Sequence, residues 1–151
     1  MNMKGYSTNE FPEKHARALS KDNNISFKDS VNIAHNLRGL TLKNAKALLE
    51  GVMEKKVPIR YFRYLDSVSH KRGVGPGRYP VKAASEFLKA LSNAEANAEF
   101  KGMDTDSLKV THIAANKGKM LKRFTPKAYG RAGANNRDLV NIEIILEEME
   151  Q

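Results

Sequence analysis

Cysteine is absent from the 151 residues, and so is tryptophan. Without a thiol the chain has no disulfide, no thiolate nucleophile and no Cys-based zinc site. No stretch approaches the roughly 18 consecutive apolar residues of a membrane-spanning helix. The N-terminal MNMKGYSTNEFPEKHARALSK lacks the apolar centre of a secretory signal, so the chain reads as a soluble intracellular protein. Acidic residues are scarce, 17 Asp and Glu against 26 Lys and Arg, a formal net charge of +9. One stretch lacks them entirely: Lys117 to Arg137 holds seven basic residues and no carboxylate. A surplus of this kind favours polyanionic partners.

What is present suits a folded unit. The chain is 40% hydrophobic and 28% charged, a globular composition at a length expected to form one domain spanning 1–151. Residues 1–25 are polar, with a short strand expected around Arg17–Leu19. Ser26 and Asp29 form a capping pair, and Val31, Ala34 and Leu37 follow at helical spacing up to Gly39. Thr41 opens a second helix with Leu42, Ala45, Leu48, Leu49, Val52 and Met53 on one face, stopped by Pro58. Pro80 suits the first turn of a third helix, striped by Val81, Ala84, Phe87, Leu88, Leu91 and Ala98 and closed by Gly102.

Between the second and third helices, residues 55–80 alternate basic and aromatic side chains: Arg60, Arg63, Lys71, Arg72 and Arg78 with Tyr61, Phe62, Tyr64 and Tyr79. Gly73, Gly75 and Gly77 around Pro76 predict an irregular loop. The aromatics suit core packing and base stacking equally. The glycine loop lacks the Lys-Ser/Thr ending of a nucleotide-binding loop. With the helix start behind it, it suits a phosphate of an RNA backbone or a plain connector.

The acid-free stretch sits between two predicted strands, Leu108–Ile113 and Val140–Leu146. Val140, Ile142, Ile144 and Leu146 face one way and Asn141, Glu143 and Glu147 the other, the alternation of a half-buried antiparallel strand. A connection this long is either a disordered loop or a continued hairpin, since most connections are about 4–6 residues. Strands of ~12–18 residues would reach about 40–60 Å, beyond a body whose radius of gyration is about 15 Å. Glycines and alanines keep such an arm thin. Lys117, Lys119, Lys122, Arg123, Lys127, Arg131 and Arg137 repel one another, so order is expected from an anionic partner. Phe124 and Tyr129 suit stacking on bases.

Phe124-x-Pro126-Lys127-Ala128-x-Gly130-Arg131-Ala132, in a hairpin after three helices, resembles the universal large-subunit ribosomal protein family numbered twenty-two in bacteria. Ile25-Ser26-Phe27-Lys28 leading to Leu37-Arg38-Gly39, and Asn93-Ala94-Glu95-Ala96-Asn97-Ala98, are similar to its helices. Gly75-Pro76-Gly77-Arg78-Tyr79-Pro80 and the closing Asn141–Glu148 resemble the archaeal form. The resemblance implies an α+β fold: about three helices packed on a small three-stranded antiparallel sheet, with a long protruding β-hairpin, about 109–145. It further implies a seat at the peptide exit tunnel and a role in rRNA assembly. The hairpin tip, here about Lys119–Arg131, would line the tunnel wall, where the family is tied to macrolide response and nascent-peptide stalling. Two positions depart from the bacterial pattern: Thr125 replaces a basic residue and Lys127 a common Arg, exchanging a bidentate fork for a point charge.

The sites expected to bind rRNA are Arg60, Arg63, Lys71, Arg72, Arg78 and Lys82 beside the helices, and Lys117, Lys119, Lys122, Arg123, Phe124, Lys127, Tyr129, Arg131 and Arg137 on the arm. Expected partners are large-subunit rRNA, neighbouring ribosomal proteins and the nascent peptide, in the cytoplasmic ribosome, with no membrane and no cofactor. An enzyme is disfavoured: His15, His35, His70 and His112 show no metal-ligand spacing, and His112 reads as a strand residue in phase with Val110. The opposing alternative is a stand-alone basic RNA-binding protein or RNA chaperone.

Overall fold

The computed structural model describes residues 5–8 and 11–149. Residues 1–4 and 9–10 of the polar N-terminal stretch, and the last two residues of the chain, lie outside it. Strand β1 (His15–Asn23) precedes two helices, α1 (Phe27–Leu37) and α2 (Leu42–Met53). The short strands β2 (Ile59–Arg60), β3 (His70–Lys71) and β4 (Gly75–Arg78) lead to α3 (Val81–Phe100). A single 3-10 turn then leads to β5 (Leu108–Leu121), β6 (Phe124–Pro126), β7 (Ala132–Ala134) and β8 (Arg137–Glu148).

The helices begin where local chemistry places them. The Ser26 hydroxyl accepts from the Asp29 amide and the Thr41 hydroxyl from the Asn44 amide, each satisfying an orphan donor of the first turn. Asp29 does not reciprocate as a capping box would; its carboxylate accepts from the Tyr61 hydroxyl at 2.6 Å. Gly39 follows α1, and its amide donates to Val110 O at 2.8 Å, tying the helix end to β5. The second helix stops at Met53, before Pro58, because Lys55 turns the chain with φ +59°.

The main sheet has the order β1-β8-β5, all antiparallel. Its inner face carries Ala16, Ala18, Val110, Ile113, Ile142, Ile144 and Leu146. These pack with Ile33, Leu37, Leu49, Phe87 and Leu91 of the helices into one buried cluster. Full burial of each large apolar side chain stabilises by about 1.5–3 kcal/mol. This α+β arrangement, three helices on a three-stranded sheet with a long hairpin, is the expected one.

Further expectations fail through long-range packing. Residues 55–80 are not an irregular loop: β2-β4-β3 form a second small sheet. Gly77 sits in its middle strand because a Cβ there would lie 2.9 Å from the Ile59 carbonyl oxygen. Strand β8 is not half-buried either. Glu143 and Ile145, on the outer face, are 1% and 0% exposed, and the N-terminal segment 5–8 straps across Glu143. Gly5 lies against Leu19, the Tyr6 ring faces the Arg17 guanidinium, and Ser7 bonds to Glu143.

A bulge between Val110 and His112 also turns His112 out of phase with Val110. It stands on the outer face, its Nε2 3.1 Å from Glu143.

Candidate nucleic-acid interface

The two long strands do not stop at the body. Paired residues run outward from Val110↔Leu146 through Lys117↔Val140 to Leu121↔Arg137. Beyond them Phe124↔Ala134, Thr125↔Gly133 and Pro126↔Ala132 continue the hairpin. The fourteen residues of β5 alone extend about 45 Å at the usual strand rise. From Leu121 to Ala132 every residue is exposed. The chain reverses at the tip with φ +58° at Tyr129 and +67° at Gly130, and the Lys127 amide donates to Arg131 O at 2.7 Å.

At the arm's base the charge is partly balanced. Lys117 lies 3.1 Å from Asp138 and Lys119 3.6 Å from Asp22. The Asp22 amide donates to Asn141 Oδ1 at 2.8 Å, joining β1 to β8. Gly118 makes room for that link: a Cβ there would meet Asn141 Oδ1 at 2.8 Å and Asp22 Oδ1 at 3.2 Å. Farther out the balance ends. Among the described residues no carboxylate lies within 4.0 Å of Lys122, Arg123, Lys127, Arg131 or Arg137. Phe124 is 74% exposed and Tyr129 94%.

The structure gathers some of the expected sites and leaves others apart. Lys82, Lys117, Arg123 and Arg137 line one open groove of about 700 Å³ between the start of α1 and the arm. Lys28, Asn135 and Asn136 join them there. Sequence reading missed these three, since Lys28 sits within an ordinary first helical turn and no local pattern ties it to residues a hundred positions on.

Lys71, Arg72 and Arg78 belong to the small sheet and its turn. Arg78 donates to Ser67 O at 3.1 Å, and Lys71 lies over the Tyr79 ring at 5.6 Å. Arg60 lies over the Phe62 ring at 5.3 Å, and Arg63 follows on the same exposed loop. Lys127, Tyr129 and Arg131 form the tip.

The neighbouring aromatics divide. Tyr61 is core, 3% exposed. Burial, and then its bond to Asp29, push its phenol well above the usual tyrosine range. Phe62 and Tyr64 are 41% and 43% exposed.

Among the described residues no cluster of His, Asp or Glu is placed to hold a metal ion, and no helix is long and apolar enough to cross a membrane. What remains is a cationic finger with exposed rings on a packed body.

The family described as ribosomal protein L22p/L17e matches residues 18–147, body and arm together. The chain belongs to this family. It is 62% identical over 149 residues to the large ribosomal subunit protein uL22 of Thermoplasma volcanium, covering 99% of this chain and 100% of that one. The uL22 of Picrophilus torridus is 60% identical over 146 residues, 97% of each chain. That of Thermoplasma acidophilum is 62% identical over 146 residues, 97% of this chain and 96% of the relative. The L22p/L17e proteins are structural ribosomal proteins rather than enzymes, and these archaeal relatives match the archaeal character of the resemblance.

Proposed function

We propose that this chain is a non-enzymatic component of the large ribosomal subunit that binds large-subunit rRNA and aids its assembly. The arm, about 109–145 of a single unit 1–151, threads between rRNA segments, and its tip at about Lys119–Arg131 lines the nascent-peptide exit tunnel. Neighbouring ribosomal proteins meet the body, and the particle is cytoplasmic.

One observation carries the reading: the outer hairpin holds Lys122, Arg123, Lys127 and Arg131 with no carboxylate within 4.0 Å, and every residue from Leu121 to Ala132 is exposed. Such a finger is stabilised by a surrounding polyanion. An isolated hairpin is marginal in water, and mutual repulsion makes this one more so. The groove lined by Lys28, Lys82, Lys117, Arg123 and Arg137 supplies a second row of phosphate contacts where the arm leaves the body. The family membership and the archaeal uL22 relatives support the same reading. RNA shape and backbone, rather than base identity, are what such contacts select.

The test has two parts. The tagged protein is expected to co-sediment with large subunits in a lysate gradient. Its affinity for deproteinised large-subunit rRNA should fall with salt at a slope of roughly −4 to −6 in log K against log[salt], as for ~5–7 neutralised phosphates. RNA binding without co-sedimentation would instead identify the stand-alone RNA-binding protein. A flat salt response would remove the electrostatic basis altogether.

A further inference from the structure

His35 and Phe62 stack face to face, ring centroids 3.9 Å apart and planes 12° from parallel. With the Arg60 guanidinium beside the Phe62 ring, three flat groups are collected at the surface. His35 is exposed, so the column is not covered by the core. Its loop is nonetheless held firmly. Asn32, 1% exposed, accepts from the amides of Phe62 and Arg63 at 2.7 and 3.2 Å and donates to Arg63 O at 3.1 Å. Asn36 donates to Arg60 O at 2.9 Å. A buried asparagine committed to fixing an exposed aromatic loop gives the ring a set position, which a ring held only by apolar packing would not need.

Beside the stack, between α1 and β5, opens a cleft of about 390 Å³, within the range of small-ligand sites (about 300–1,000 Å³). Its walls include His35, Phe62, Arg38, Arg63 and Asn116, and no carboxylate. Arg38 uses one N–H on Ile113 O at 3.2 Å, leaving the rest of a guanidinium's five donors for an acceptor.

We propose that this cleft takes one unpaired nucleotide of the rRNA, its base stacked on the His35–Phe62 pair and its phosphate held by Arg38 and Arg63. This rests on the rRNA-binding reading above and names a contact that reading does not contain. A flat π surface accepts any base and two guanidiniums hold a phosphate, so the site recognises an extruded nucleotide by shape and not by identity. A basic peptide would be favoured by an acidic rim, and no carboxylate lines this cleft.

The full-length protein is titrated with deproteinised large-subunit rRNA at several salt concentrations. His35→Ala and Phe62→Leu should each weaken binding about tenfold, the usual scale for one lost base stack. The salt slope should stay unchanged, because no phosphate contact is removed, and the melting temperature should fall only by the few degrees that one ring stack supplies. Arg63→Gln should lower the slope by about one. In purified large subunits, ultraviolet crosslinking should place a nucleotide adduct on the peptide carrying Phe62 or His35. Unchanged affinity for both aromatic variants overturns the proposal, as does a crosslink from this cleft to a protein neighbour. If the wild-type chain itself bound no rRNA, the broader reading and this site would fall together.

Discussion

The carboxylate of Glu143 accepts the Ser7 amide at 2.9 Å across 136 positions of chain, and the Ser7 hydroxyl bonds to the same group. His112 approaches it from β5 at 3.1 Å. One buried acid on the central strand thus fastens the N-terminal strap and an edge strand together. Glu143→Ala removes the acceptor for these donors and is expected to cost about 1–3 kcal/mol. That is a fall of roughly 3–10 °C in melting temperature for a chain of this size. Hydrogen exchange at the Ser7 amide should accelerate in step. A variant with unaltered melting and exchange would show that the strap is held by something else.

The bond between Tyr61 and Asp29 predicts a pH effect of known sign. Burial raises the Tyr61 pKa above its ordinary value of about 10. The folded protein therefore keeps a proton that the unfolded chain loses. The stability this confers is complete below about pH 10 and declines as pH rises from there toward the folded pKa. Tyr61→Phe should lower stability by about 1 kcal/mol at neutral pH through the lost hydrogen bond. Its deficit relative to wild type should shrink between about pH 9.5 and 11 in denaturant titrations. A constant deficit across that interval would contradict the assignment.

Charge reversal on the arm should separate binding from folding. Lys122→Glu with Arg131→Glu alters two exposed positions. The free protein should melt within about 2 °C of wild type, surface changes being worth about 0.5 kcal/mol or less. Affinity for large-subunit rRNA should drop more than about tenfold at low salt, and the salt slope should flatten by about two. Unfolding of the free variant would mean that the arm belongs to the core.

At the arm's base, Gly118→Ala drives a methyl group against Asn141 Oδ1 and should cost about 1–3 kcal/mol. In an Asn141→Ala background the nearer obstruction is gone and only Asp22 Oδ1, 3.2 Å from that Cβ, remains, so the same substitution should cost less. A double-mutant cycle on denaturation midpoints gives the coupling directly. Additive costs would place the strain elsewhere.

Much of the architecture is legible along the chain because its causes are local. Ser26 and Thr41 cap helices through bonds to residues three positions on, and Gly39 and Gly102 stand just past helix ends. The alternation of Val140, Ile142, Ile144 and Leu146 marks the inner face of β8 at the strand period of two. The absence of any acid from Lys117 to Arg137 marks the arm before any coordinates exist, since charge composition does not depend on folding. The resemblance adds the hairpin motif.

Tertiary structure alone settled what depends on partners distant in sequence. Glu143 reads as a solvent-facing residue until the strap from Gly5 to Thr8 covers it. Gly77 reads as a loop glycine until Ile59 pairs beside it, and His112 keeps phase with Val110 until a bulge turns it outward. Lys28 becomes a neighbour of Arg123 and Arg137 only when α1 packs beside the arm, and His35 meets Phe62 only when the loop folds back onto that helix. The linear order encodes periodicity, capping and charge through neighbours a few bonds apart. Burial of an individual polar group, and the meeting of residues into a site, arise from contacts that chain connectivity does not carry.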